Sequence, residues 1–269
     1  MTAARVLVVA AALLLSAPAC SGGGGGGDDT RDTSTSTTGG AAVSTLEGTL
    51  TVLAAASLTD AFGALALLFE LAHPGVIVEL NFGPSSGLRE QILNGAPADV
   101  FASADPSNMD QLVDAGAAPA PEVFATNQLQ IAVPPGNPAG VSGLADFADD
   151  DLLVGLCAEE VPCGRFAREA LANAGVTPAL DTNAPDVRAL LTQIESGDLD
   201  AGLVYRTDVL AAGDTVEGID LPADQNVTAD YPIARLSEAA DVEVAEAFVA
   251  FVLSPDGRAI LASFGFDEP

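Results

Sequence analysis

The feature that most constrains this chain is a repeated alternation: a short apolar run, a few small or polar residues, then a segment of helical periodicity. Residues 50–54 read as a strand, and Leu58, Phe62, Leu65, Phe69 and Ala72 then recur at helical spacing until His73-Pro74-Gly75 stops the helix. Residues 76–82 form the next predicted strand, Leu88, Ile92 and Leu93 mark a helix, 99–102 a strand, and 109–115 a helix ended by Gly116. Connections this short leave room only for successive βα units, which assemble into an open, mostly parallel sheet covered by helices on both faces. In such sheets ligands gather at the carboxyl ends of the strands.

The pattern changes around residues 129–134, where an apolar strand runs into the turn-rich Pro134-Pro135-Gly136-Asn137-Pro138. A second βα series follows: a strand over 152–157, a helix over 166–174, a helix carrying Val187, Leu190, Leu191 and Ile194, and a strand over 201–205. A strand near Tyr231-Pro232-Ile233 then leads into a C-terminal helical stretch, 242–264, whose apolar stripe needs a sheet to cover it. The expected architecture is therefore α/β with two lobes, 47–127 plus 231–269 and 128–230, joined by two crossings with a cleft between them. With 269 residues and 49 % apolar content, the chain has ample material for both cores.

Two strand-to-helix junctions share a polar signature, Ala55-Ala56-Ser57-Leu58 and Gly83-Pro84-Ser85-Ser86-Gly87. Each sets small residues and hydroxyls where a helix begins, and such a start offers unpaired N–H groups and a positive dipole end to a small anion. Ser57 and Asp60 also have capping-box spacing. The chain as a whole is acidic, with 9 Lys+Arg against 38 Asp+Glu and a net charge of −29. That charge argues against nucleic acid and anionic membrane surfaces as partners. It is a solvated exterior, and with a Debye length of about 8 Å it is screened at a buried pocket, where local dipoles decide what binds. Trp is absent and aromatics make up 5 %, so stacking platforms for bases are not expected.

Residues 1–20 read as an export signal: Arg5, an apolar stretch over 6–15, and the small residues Ala17-Pro18-Ala19 before Cys20. Cys20 sits as in a lipoprotein lipobox, although Ala17 stands where Leu is usual, and is the expected lipidation site and membrane anchor. Residues 21–46, rich in Gly, Ser, Thr and Asp, read as a flexible tether. Cys157 and Cys163 then remain as a pair separated by five residues, and a disulfide stiffening the approach to a helix after Gly164 is favoured over a metal site, for which two sulfurs supply too few ligands.

Taken in order, Ala54-Ala55-Ala56-Ser57-Leu58-Thr59-Asp60, Gly83-Pro84-Ser85-Ser86-Gly87-Leu88, the run from Gly95 to Asp105, Val161-Pro162-Cys163-Gly164, Pro185-Asp186-Val187-Arg188, Gly202-Leu203-Val204-Tyr205 and Tyr231-Pro232-Ile233-Ala234 make the chain similar to the molybdate-binding proteins of ABC importers, within the type II periplasmic binding protein fold. The resemblance spans 50–266. It implies that Ser57 and Ser85 give hydroxyls to an oxyanion, with Ser86 adding a backbone donor. It further implies N–H groups from Cys163 and Val187 and the hydroxyl of Tyr205 from the other lobe. Plain helix capping at Ser57, a tight turn at Ser85 and core packing of Val187 and Tyr205 are the rival readings from the residues alone. Arg188 and Arg206, the nearest cations, are expected in structural or hinge ion pairs.

The function this implies is capture of molybdate, and of tungstate, by an exported monomer that delivers it to the permease of an ABC importer, with no cofactor. A receptor for sulfate or another tetrahedral oxyanion is the alternative. A serine hydrolase is not expected, since His73 is the one imidazole and no nucleophile elbow surrounds Ser57 or Ser85.

Overall fold

In a computed structural model, which describes residues 46–269, the chain alternates strands and helices as its periodicity demands. The expected signal, Cys20 and the tether through residue 45 lie outside the described residues. Strand β1 (Glu47–Ala55) runs through a short 3-10 turn (Ala56–Leu58) into helix α1 (Thr59–Ala72); β2 (Gly75–Gly83), α2 (Ser85–Leu93), β3 (Val100–Ala102) and α3 (Pro106–Asp114) follow. The long β4 (Glu122–Val133) opens a second series of β5 (Val154–Cys157), α4 (Pro162–Asn173), β6 (Thr182–Ala184), α5 (Val187–Glu195), β7 (Ala201–Tyr205), α6 (Arg206–Ala212) and β8 (Glu217–Asp220). β9 (Thr228–Arg235), α7 (Val242–Leu253) and α8 (Pro255–Ser263) close the chain.

The strands form two sheets that share β4. Its first half, Glu122 to Gln128, pairs antiparallel with β9, which pairs with β3, and β1 joins β3 and β2 in parallel. From Leu129 onward β4 leaves β9 and pairs antiparallel with β7 and β8, while β5 lies parallel to β7 and β6. The parallel pairs are those built by βα units; the antiparallel ones come from the long strands that carry the chain from one sheet to the other. Asn226, just before β9, clamps this crossing: its Oδ1 accepts the Leu129 N–H (3.1 Å) and its Nδ2 donates to the Leu129 carbonyl (2.9 Å).

An all-round aromatic nucleus sits under the first sheet. Phe62 of α1 meets Phe124 at 5.7 Å and Phe248 of α7 at 6.3 Å, Phe69 meets Phe248 at 5.2 Å, and Tyr231 of β9 packs edge-on against Phe266. Edge-to-face pairs of this kind add about 0.5–1.5 kcal/mol each beyond the area they bury. The predicted stripe of α1 is correct for Leu58, Phe62, Leu65 and Phe69, while Ala72, in the last turn, is exposed. The C-terminus returns to the first sheet, where Thr126 and Asp267 exchange backbone hydrogen bonds.

Three local expectations are corrected. The helix expected after Gly164 begins at Pro162, because Pro fits the first helical position and Val161 provides an extended N-cap. The C-terminal helical stretch 242–264 is not continuous: it breaks at Ser254, whose hydroxyl accepts the Gly257 N–H and caps a second helix opened by Pro255. The Ser57–Asp60 capping box is not made: α1 has no side-chain cap, and Asp60 turns outward to an ion pair with Arg188.

Cys157 and Cys163 are joined by a disulfide, with Cα atoms 5.8 Å apart. Closing a loop this short is worth about 2 kcal/mol in the chain-entropy account. The Cys157→Ser/Cys163→Ser variant is therefore expected to melt roughly 4–8 °C lower. An unchanged melting curve would show that packing alone holds the α4 entry.

Candidate functional site

The carboxyl ends of β1, β2, β5, β6 and β7 converge on one small cavity. It is lined by Ala55 to Ser57, Gly83 to Ser85, Ala104, Val161 to Cys163, Asp186, Val187 and Tyr205. Of the residues singled out from the sequence, Ser57, Ser85, Cys163, Val187 and Tyr205 thus meet here. Ser86 does not line the cavity, but lies beside Ser85 in the first turn of α2. Neither Arg188 nor Arg206 lines it. Its volume is about 20 Å³. That is little more than the roughly 10–15 Å³ one water needs and far below the ~300 Å³ of pockets for organic ligands, so the cavity suits one small ion.

Helix starts supply its backbone donors. In α2 the first helical bond is made by the Leu88 N–H to Pro84, so the N–H groups of Ser85, Ser86 and Gly87 precede the ladder. In α4 that bond runs from Arg165 to Val161, which leaves Cys163 and Gly164 ahead of it; in α5 it runs from Leu190 to Asp186, which leaves Val187 and Arg188. Asp186 is the one acidic lining residue, and its Oδ1 is occupied as the N-cap of α5 by the Ala189 N–H (2.9 Å).

The hydroxyls are oriented from behind. Ser85 Oγ accepts the Ala104 N–H at 3.0 Å, so its own proton remains for a ligand. Ser57 Oγ lies 2.9 Å from the hydroxyl of Tyr231. The Tyr205 hydroxyl, at the end of β7 and in a residue 1 % exposed, makes no hydrogen bond of normal geometry, although it lies near Tyr231. Burial above all pushes the Tyr205 phenol well above its ordinary value, so it is a permanent donor.

Two cross-cleft ion pairs bracket the cavity. Arg165 of α4 pairs with the buried Asp105, which caps α3, and Arg188 of α5 pairs with Asp60 of α1. Arg206 instead holds the C-terminus, donating to the Gly265 carbonyl (2.6 Å) and to Asp267 (2.7 Å). Sequence reasoning missed Arg165 and Asp105; Asp105-Pro106 before a helix was a readable N-cap signal, but its partner was not.

Asp208, absent from the sequence-based set, is a second buried carboxylate beside the site. Its Oδ2 accepts the Tyr205 N–H (3.1 Å), while its Oδ1 lies 3.4 Å from Arg188 Nε without a hydrogen bond. Burial raises its pKa to about 7, against the smaller opposing pull of Arg188. Between about pH 4 and 7 the folded chain thus holds a proton that the unfolded chain releases, so stability falls as pH rises through that window, by a few kcal/mol in all. Chemical denaturation of wild type and Asp208→Asn at pH 5 and pH 8 measures this. The variant is expected to lose the slope, and parallel pH dependence of the two proteins would refute the assignment.

An α/β fold of two sheets sharing one long strand, with a small cavity of hydroxyl and N–H donors at the ends of its strands, is the build of a solute-binding protein. The chain belongs to the bacterial extracellular solute-binding protein family, whose sequence model matches residues 50–267. It is 37 % identical over 222 residues to the molybdate-binding protein ModA of Mycobacterium tuberculosis H37Rv, covering 82 % of this chain and 85 % of that protein. It is 33 % identical over 237 residues to the molybdate-binding protein ModA of Escherichia coli, covering 82 % and 89 %. Among solved structures, the periplasmic molybdate-binding protein of Azotobacter vinelandii superposes with a TM-score of 0.71 at 22 % identity (82 % of this chain, 99 % of that one). The sulfate-binding protein SubI of M. tuberculosis does so at 0.75 and 17 % identity (82 % and 87 %). These two likenesses define the fold, type II periplasmic binding protein. Among the described residues no helix is long and apolar enough to cross a membrane.

Proposed function

We propose that this chain captures molybdate, with tungstate as an equivalent ligand, and hands it to the permease of an ABC importer. The observation that carries this reading is the donor-lined cavity of about 20 Å³. Ser57 and Ser85 offer hydroxyls from the first sheet, and Cys163, Val187 and Tyr205 offer N–H and O–H groups from the second, with Ser86 adding a donor at the start of α2. A tetrahedral dianion that carries no proton is matched by these donors, whereas hydrogen phosphate needs an acceptor for its own proton, and the one carboxylate of the lining, Asp186, has Oδ1 engaged as the cap of α5. The relatives named above as molybdate-binding proteins support the same ligand; sulfate is the second reading, favoured only by a neighbour of the same fold.

The lobes in this reading are 47–127 with 231–269, and 128–230, hinged where β4 changes partner at Leu129 beside Asn226. Closure brings Arg165 to Asp105 and Arg188 to Asp60, and it creates the surface that the permease recognises. The protein acts as a monomer outside the cytoplasmic membrane, anchored by acylation of Cys20.

Calorimetric titration of the purified protein, stripped of bound anion, tests the ligand. Tight binding of molybdate and tungstate with much weaker sulfate is expected. Preferential sulfate or phosphate binding would replace the proposal.

A further inference from the structure

We infer that Tyr231 is a positioning residue for anion capture: its hydroxyl donates to Ser57 Oγ and thereby turns the Ser57 proton toward the cavity. The inference deepens the anion-receptor reading and rests on it. Tyr231 does not itself line the cavity, yet it is fully buried at the middle of β9, with its hydroxyl 2.9 Å from Ser57 Oγ. A Ser hydroxyl has one proton and two lone pairs. If Ser57 gave that proton to Tyr231, it would present lone pairs to an anion and repel it.

The surroundings of the phenol decide the direction. Asn127, also fully buried and placed where β4 changes sheets, donates one Nδ2 hydrogen to Thr207 Oγ1 (2.8 Å), while its Oδ1 accepts the Gln128 N–H (2.9 Å). The hydrogen bond of normal geometry that the Tyr231 hydroxyl makes is its contact with Ser57 Oγ. A buried phenol must place its proton on an acceptor, and Ser57 Oγ stands at hydrogen-bond distance from it, so Tyr231 donates to Ser57 and the Ser57 proton is left for the cavity. The Tyr205 hydroxyl faces Tyr231 as well. One phenol thus stands behind cavity residues of both lobes, its ring edge-on to that of Tyr205. Ser85 reaches the same state by another route, through the Ala104 N–H.

Tyr231→Phe removes only the hydroxyl and preserves the ring packing against Tyr205 and Phe266. Titrations with molybdate compare wild type, Tyr231→Phe, Ser57→Ala and Ser85→Ala, and Tyr231→Phe combined with each serine variant. The expected loss on Tyr231→Phe is about tenfold to a hundredfold in wild type and in Ser85→Ala, and less than about twofold in Ser57→Ala, where the group it acts through is gone. The same loss in all three backgrounds would mean a general structural role and would overturn the inference while leaving the receptor intact. Failure of wild type to bind molybdate, tungstate or sulfate would overturn the receptor reading and this inference together.

Discussion

Ser85→Ala is expected to weaken molybdate binding by about two orders of magnitude, and with Ser57→Ala added to abolish measurable capture. Hydrogen bonds to a charged group are worth about 1.5–3 kcal/mol each, roughly ten- to more than a hundredfold in affinity. Ser85 carries a second burden, because its Oγ is the acceptor of the buried Ala104 N–H. Removing it orphans that donor at a cost of about 1–3 kcal/mol in both free and bound states, so it lowers stability as well as affinity. Calorimetry reads the first effect and denaturant unfolding the second. A Ser85→Ala protein that loses stability but keeps its molybdate affinity would show that the hydroxyl only props the β3–α3 connection.

Gly164→Ala should be the most damaging small substitution in the chain. A Cβ there would run into the Ala158 carbonyl oxygen and lie 2.7 Å from that of Cys157. Those are backbone atoms that cannot step aside: Cys157 is tied to Cys163 by the disulfide, and Arg168 Nη1 bonds both the Cys157 and the Gly164 carbonyls at 2.9 and 2.8 Å. The first turn of α4 must shift, at a cost of roughly 4 kcal/mol or more, the tail of what single substitutions do. That corresponds to a fall in Tm of roughly 8–16 °C, and the shift also displaces the Cys163 N–H from the cavity. Gly63→Ala is the control. It lies inside α1 with nothing within 4 Å of its would-be Cβ, and it should gain about 0.5–1 kcal/mol. A Gly164→Ala protein that melts with wild type would contradict the close approach.

Much of this architecture was legible because βα units announce themselves locally. Of the strands that enter the site, β1 and β2 end in small residues and β5 and β7 are short apolar runs, and α5 shows its stripe of Val187, Leu190, Leu191 and Ile194, all buried. Other elements had no such signal. β8 is exposed along almost its whole length, so its sequence carries no alternation, and the first half of β4 contains the polar Thr126, Asn127 and Gln128. α6 follows β7 without a loop, and its start depends on Asp208 accepting the Tyr205 N–H inside the protein. The Ser57–Asp60 spacing suggested a cap that tertiary partners outbid: Arg188 drew Asp60 away and Tyr231 took Ser57.

The sequence alone determined the order of strands and helices, the small residues at several strand ends, the cysteine pair and, through its motifs, five residues that meet at one cavity. Those are properties of neighbours along the chain, set by periodicity, propensity and cap chemistry over a few residues. Only the tertiary structure decided which hydroxyl is held as a donor, which carboxylate is buried beside the site and which arginines cross the cleft. Tyr231 stands 174 residues from Ser57. The direction of a hydrogen bond and the pKa of Asp208 depend on partners and burial assembled across such separations, and no local spacing encodes them.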